Sequence, residues 1–241
     1  MNKKNIHITH IVSTYPPYKG GMGNVAWQMV HELAKKGHET RVLTPALNGG
    51  YLTDAEESII RIEPTFSFRN SAFVPKMYAW LKKTDVIHLH YPFYGGAELV
   101  ALYRLFHRKK PIVISYHMDV EGKGMLKSFF LAYRYLIAPS VLSRADKIIV
   151  SSMDYAHESL YLHRHMDKVM ELPFGIPEEF SRPIEIRRGK IEDPLKLVFV
   201  AALDSSHYFK GLENLLKAIA SVKSKQKIEL AIIGEGDMRG F

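Results

Sequence analysis

The chain has 241 residues, 46% hydrophobic and 24% charged, the balance of an ordinary globular protein long enough to bury a core without covalent staples. It contains no cysteine, which excludes disulfides, zinc–thiolate sites and iron–sulfur clusters and fits a reducing compartment. The 33 Lys and Arg against 25 Asp and Glu leave a formal charge of +8, a bias toward an anionic partner: phosphate, nucleotide, nucleic acid or membrane surface.

The N-terminus is basic, and the alternating run from Ile6 to Val12 is too polar for the apolar core of a signal peptide. It reads as a first strand, 5–12. Further strands are predicted at 40–44, 58–63, 85–90, 111–116, 146–150 and 168–172, each short and rich in Ile, Val and Leu. Helices are predicted between them at 22–36, 95–108, 124–137 and 152–164. In the first, Val25, Met29, Val30 and Leu33 recur at three- and four-residue spacing and Gly37 stops the helix. This alternation implies a parallel sheet covered on both faces. The most apolar stretch, Phe129 to Leu142, is broken by Arg134 and Pro139, so no transmembrane helix is expected and the expected address is the cytoplasm.

Pro173, Gly175, Pro177, Pro183 and Pro194 then punctuate a polar stretch that reads as a linker. Beyond it come a strand at 195–201, a helix at 211–222 and a strand at 228–233. The expected organisation is a first domain over 1–175, a linker over 176–194, and an incomplete second domain over 195–241.

After the first strand come Tyr15-Pro16-Pro17, Gly20-Gly21-Met22-Gly23 and a helix. Glycines at a helix N-terminus admit a phosphate to the backbone amides, and the helix dipole favours its charge. The spacing is not the dinucleotide fingerprint, which needs its first Gly directly after the strand, and no Gly-Lys-Ser/Thr follows to make a P-loop. The plainer reading is a tight turn.

These residues, followed by His31-Glu32-Leu33-Ala34-Lys35-Lys36-Gly37-His38-Glu39, resemble the opening of family 4 glycosyltransferases of the GT-B fold. Asp85-Val86-Ile87-His88-Leu89-His90, Ile114-Ser115-Tyr116-His117-Met118-Asp119, Ala145-Asp146-Lys147-Ile148-Ile149-Val150-Ser151 and Pro173-Phe174-Gly175-Ile176 resemble later landmarks of the same domain. Leu197-Val198-Phe199-Val200, Lys210-Gly211 and Ile232-Ile233-Gly234-Glu235-Gly236 resemble the start of the donor domain. The motifs fall in family order along nearly the whole chain. The fold implied is α/β of GT-B type: a Rossmann-like parallel-sheet domain plus the first β-α-β unit of a second.

The activity implied is retaining transfer of a sugar from a nucleoside diphosphate donor to a glycan or lipid-linked acceptor, with no cofactor or metal. The resemblance assigns His117 to the donor sugar and Lys210 to the leaving phosphate as catalytic residues. It assigns Gly20, Gly21, His207, Lys210 and Gly211 to the donor, and Tyr15, Asn24 and Tyr91 to the acceptor. Where many members carry an Arg after the first donor-domain strand, this chain has Ala201-Ala202. The match to a subset reading Ala202-Leu203-Asp204 and His207-Tyr208-Phe209-Lys210-Gly211 suggests that His207 fills part of the cation's role. The nucleotide-base contacts and paired glutamates of the family lie further on, so the 241-residue chain is expected to be inactive by itself. Alternatives are a non-catalytic nucleotide-sugar or anionic-ligand binding module, and an epimerase-like enzyme of the same fold.

Other features admit plainer readings. His88 and His90 alternate to one face of a strand, but no carboxylate or third His has ligand spacing, which favours structural use over a metal pair. Taken singly, His117 is more often a core residue, although its strand-end position is where open α/β sheets bind ligands. His157, His163 and His165 read as a solvated face. Residues 104–147 hold nine basic side chains against three acidic ones, interleaved with aromatics. Lys123, Lys127, Phe130 and Arg134 are candidates for docking on an anionic membrane, at its inner face. A core helix with solvated basic ends is the plainer account. No nucleic-acid partner is expected, since no motif for one is present.

Overall fold

Short apolar strands separated by helical returns must pair in parallel, because each crossover carries the chain back to the same edge before the next strand begins. The computed structural model describes residues 5–18, 20–47, 58–122, 124–176, 194–223 and 227–240. It divides into two compact units, Met1–Ser181 and Arg182–Phe241. The expected linker falls almost wholly on 177–193, outside the described residues.

The first unit contains β1 (His7–Ile11), α1 (Gly21–Lys35), β2 (Glu39–Pro45), β3 (Ile59–Ile62), β4 (Phe66–Phe68), β5 (Ser71–Phe73), α2 (Met77–Trp80), β6 (Val86–Tyr91) and α3 (Ala97–Phe106). It continues with β7 (Ile112–Tyr116), α4 (Met125–Leu136), α5 (Ala138–Ser143), β8 (Lys147–Val150), α6 (Met153–Glu158) and β9 (Val169–Glu171). Seven strands form one parallel sheet in the order β3-β2-β1-β6-β7-β8-β9. Alternation along each strand divides the side chains between two faces. On one face Ile11, Leu43, Ile87, Leu89, Ile112 and Ile114 join the large apolar core with α3 and α5. On the other, Val12, Val42 and Tyr15 pack beneath Ala26 and Val30 of α1.

Three local differences from the sequence reading have identifiable causes. Residues 66–73, for which the sequence predicts no element, form an antiparallel hairpin, β4–β5, with Phe66 opposite Phe73. Its anchor is a backbone bond from the Ala72 N–H to the Tyr94 carbonyl at 3.1 Å. The helix expected at 124–137 ends at Leu136, and Pro139 opens α5 in its first turn, the one place where a missing N–H costs nothing. The helix expected at 152–164 stops at Glu158.

The cause of that last stop is Asp119, just beyond β7. Its carboxylate accepts from the Tyr116 hydroxyl (2.8 Å), the Tyr155 hydroxyl (3.1 Å), the Ser159 hydroxyl (2.6 Å) and the Leu160 N–H (3.2 Å). The Leu160 N–H is thus drawn to a side chain and not to the next helical carbonyl.

In the second unit β10 (Leu195–Val200) pairs in parallel with β11 (Ile228–Ile233), joined through α7 (Leu212–Ser221). Val198, Val200 and Ile233 are each more than half exposed.

Asp119→Ala is expected to lower stability by about 2 kcal/mol or more, because four donors lose a charged acceptor. Urea denaturation checks it; a loss under about 0.5 kcal/mol would contradict the anchoring role.

Candidate functional site

The order of strands reverses between β1 and β6: the chain builds outward from β1 through β2 to β3, then returns to β1's other side to begin β6. At such a switch point the loops leaving the carboxyl ends of the central strands diverge and open a crevice. Two of the motifs singled out in the sequence lie on the loops leaving β1 and β7.

The first is the glycine loop. Gly20 stands in extended conformation before α1, and its carbonyl accepts the Asn24 N–H at 3.0 Å. The three glycines differ in kind. A Cβ on Gly23 would lie 2.7 Å from the Thr14 carbonyl oxygen, so this glycine lets α1 approach the backbone leaving β1. A Cβ on Gly21 would meet nothing within 4 Å. The first residue of α1 therefore presents its backbone to open space, the condition under which unpaired helix N–H groups can reach an anion. Asn24 is exposed on the next turn. Asn70 at the tip of the β4–β5 hairpin donates to the Tyr18 hydroxyl at 3.2 Å, which sets the exposed Phe66, Phe68 and Phe73 on a hairpin tied to this loop.

The second is His117, one residue beyond β7. Its backbone N–H donates to the Tyr91 carbonyl at 2.9 Å, and its ring stacks on Phe174 at 5.3 Å between centroids. Its Nε2 lies 3.1 Å from His90 Nδ1, and His90 Nε2 lies 3.1 Å from His10 Nδ1. His88 Nε2 lies 2.8 Å from the Ser115 hydroxyl. The pairing of β1 with β6 sets His10 opposite His88. It thereby supplies the third imidazole that spacing within one strand had not revealed. His10, His88 and His90 are buried and bring ring nitrogens within 4.8 Å of one another. His10 and His90 are hydrogen-bonded to each other, and His88 to Ser115, so a cation there would have to displace those bonds.

Burial drives the charge state of this group. It holds His88 and His117 down to about 4, and His10 and His90 well below the ordinary imidazole range; neighbouring histidines add to the effect on His10, His88 and His90. All four are neutral at pH 7.

The remaining expected residues are placed as follows. Tyr15 and Tyr91 are core residues, 2% and 1% exposed. Tyr15 packs under α1, and Tyr91 stacks on Tyr116 at 5.2 Å. Their rings fill the sheet's two faces. In the second unit Gly211 precedes α7 in left-handed conformation (φ 80°). It lines a hollow with Ala202, His207, Lys210 and Met238. Lys210 is exposed, its Nζ 5.2 Å from the Phe209 ring. His207 Nδ1 is 2.7 Å from the Asp204 carboxylate.

On α4, Lys127 is exposed, while Phe130 turns toward Tyr94 at 5.4 Å. Arg134 lies over the Tyr135 ring. Lys123 lies outside the described residues. Only Tyr133 of this helix is buried, whereas Met125, Phe129 and Leu136 are 92%, 52% and 76% exposed. The alternative of a core helix is therefore not the one the structure adopts. Among the described residues no helix is long and apolar enough to cross a membrane.

The depressed imidazoles make acid stability a direct test. Unfolded, each titrates near 6.5. Below that value the unfolded chain binds protons that the fold refuses, so stability falls as pH drops from about 6.5 toward about 4. Each imidazole contributes a slope of up to about 1.4 kcal/mol per pH unit. Denaturant titrations at about pH 7.5 and about pH 5 should differ by more than about 3 kcal/mol; equal stabilities would show that the cluster is hydrated.

Comparison with known proteins bears on the family and the fold. The family described as Glycosyltransferase Family 4 matches residues 19–180. The O-antigen chain mannosyltransferase C of Escherichia coli is 24% identical, covering 97% of this chain and 62% of its own length. An uncharacterized glycosyltransferase of Methanocaldococcus jannaschii is 27% identical, covering 97% and 64%. The chain thus spans a little under two thirds of each of these relatives. Among solved structures, Anabaena HepE in complex with UDP and glucose superposes with a TM-score of 0.66 at 12% identity, over 96% of this chain and 62% of that one. That likeness shows the fold, of GT-B type. With two thirds of its length matched by one family, the chain belongs to glycosyltransferase family 4.

Proposed function

We propose that this chain carries the acceptor-side domain and the opening of the donor domain of a glycosyltransferase. The enzyme moves a sugar from a nucleoside diphosphate sugar to a glycan or lipid-linked acceptor with retention of configuration. One observation carries the reading: beside the switch point of the sheet, an α-helix N-terminus with open space at Gly21 follows β1, and a neutral histidine follows β7, two strands along the same parallel sheet, where open α/β sheets bind ligands.

In this reading the amides at Gly20 and Gly21 meet the donor diphosphate, and His117 meets the sugar. The bond from the anomeric carbon to the phosphate oxygen breaks, and its electron pair stays with the departing diphosphate. The acceptor hydroxyl forms the new bond on the same face, and its proton passes to the departing phosphate. The charge left on that phosphate needs fixed donors and a cation. In the second unit, taken by itself, Lys210 offers a cation and Gly211 an approach to α7 beside one hollow, and no metal is required. His207, held by Asp204, orients the Lys210 segment. Asn24 is retained on the acceptor side. The E. coli relative's name supports a sugar transfer of this kind, and the UDP and glucose of the Anabaena structure support a nucleotide-sugar donor.

The test separates ligand contact from packing. Gly21→Ala is expected to leave the melting temperature unchanged and to weaken UDP-glucose binding about tenfold or more in calorimetry. Gly23→Ala should lower stability by about 1–3 kcal/mol, since its Cβ meets backbone. Lys210→Ala should weaken binding about tenfold. Undiminished affinity in the Gly21 and Lys210 variants would overturn the reading.

The exposed stripe Met125, Phe129 and Leu136 on α4 favours a second element of function, docking on an anionic bilayer. Flotation should recover the protein with phosphatidylglycerol-containing vesicles and not with phosphatidylcholine alone. Lys127→Ala should reduce binding about fivefold. Equal recovery with both lipids, or with neither, would reject docking.

A further inference from the structure

The buried histidines form a directed chain, and the consequence drawn from it rests on the reading of His117 as a ligand of the donor sugar. A neutral imidazole carries one N–H and one lone pair. His10, His90 and His117 are linked through His10 Nδ1 to His90 Nε2 and through His90 Nδ1 to His117 Nε2, each at 3.1 Å. Every link needs one hydrogen, so only two arrangements keep all three rings neutral. Either each ring carries its hydrogen on Nδ1 and donates toward His117, or each carries it on Nε2 and donates toward His10.

The far end of the chain decides between them. His10 Nε2 is buried and has no partner among the described residues. In the second arrangement that atom would bear a hydrogen with nothing to accept it, the rarer and costlier defect in protein interiors. In the first it holds only a lone pair. At the near end, His117 Nδ1 has no partner among the described residues and is not among the sealed, unpaired atoms.

We propose that His90, backed by His10, is a positioning residue that locks His117 in the Nδ1–H tautomer. His117 then faces the crevice as a fixed hydrogen-bond donor. Nδ1 already carries a hydrogen and the chain ends blind at His10, so His117 has no route for taking a proton from a substrate hydroxyl. The ligand atom it selects is an oxygen with a free lone pair, such as a sugar hydroxyl, and a deoxy sugar at that position forfeits the contact. His88, paired with Ser115, lies outside the chain.

Long-range proton–nitrogen spectra of the ¹⁵N-histidine-labelled chain read each tautomer directly. In the wild type, His10, His90 and His117 should all show protonated Nδ1 and bare Nε2. In His90→Phe, His117 should switch to the Nε2–H form that free imidazole side chains favour. In His90→Gln the amide N–H replaces the lost donor, and Nδ1–H should return. An Nε2–H His117 in the wild type, or one that does not respond to His90→Phe, overturns the proposal. Should His90→Phe fail to fold, the wild-type tautomers and the His90→Gln comparison still decide. Titration with UDP-glucose should move the His117 nitrogen signals. A locked Nδ1–H tautomer with no response to UDP-glucose keeps the positioning role of His90 and rejects the donor-sugar reading alone.

Discussion

The pairing of β1 with β6 governs this molecule. It places the reversal in strand order, and so the crevice, at the centre of the sheet. It also sets His10 beside His88 in register, so a single ladder determines both the reversal of strand order and the imidazoles that lie beside it. A slip of one residue would send Ile11 and Leu89 to the face beneath α1 and the imidazoles into the apolar core. The opposite face, built from Ile87, Leu89, Ile112 and Ile114, makes that slip prohibitive. Apolar burial on one side thus enforces a polar constellation on the other.

Features set by local pattern were readable from the chain. Runs of Ile, Val and Leu with helical returns led to the sheet, and Gly20-Gly21-Met22-Gly23 led to the α1 N-terminus. What escaped depends on pairing between distant segments. His10 looked ordinary because its partners are some eighty positions away; only knowing that the first strand borders β6 would have exposed it. The end of α6 escaped because its cause, Asp119, belongs to another motif. The β4–β5 hairpin escaped because its strands are only three residues each, so the alternation Phe66-Ser67-Phe68 is too short to register as a strand.

The same distinction applies within the site. Gly21 and Gly23 are alike in sequence, yet one faces open space and the other abuts the Thr14 carbonyl. Tyr15 and Tyr91 lie at strand ends where ligand contacts are common, yet their rings point into the core. A motif names a neighbourhood; the direction of each Cα–Cβ bond decides which of its members touch a ligand and which hold the neighbourhood in place.

The sheet face under α1 has a mechanical consequence. Part of the seat of that helix consists of imidazoles and a serine hydroxyl, with Met29 sulfur 3.9 Å from Ser115 Oγ. Sulfur and neutral aromatic nitrogen form a soft, polarisable bed. That bed binds the helix less firmly than the branched aliphatic packing across the sheet. Opening is therefore expected to be easier beneath α1, with its amide hydrogens exchanging before those of β6 and β7 in a hydrogen-exchange measurement. Such a seam would let the helix that follows the glycine loop shift while the aliphatic face of the sheet stays closed.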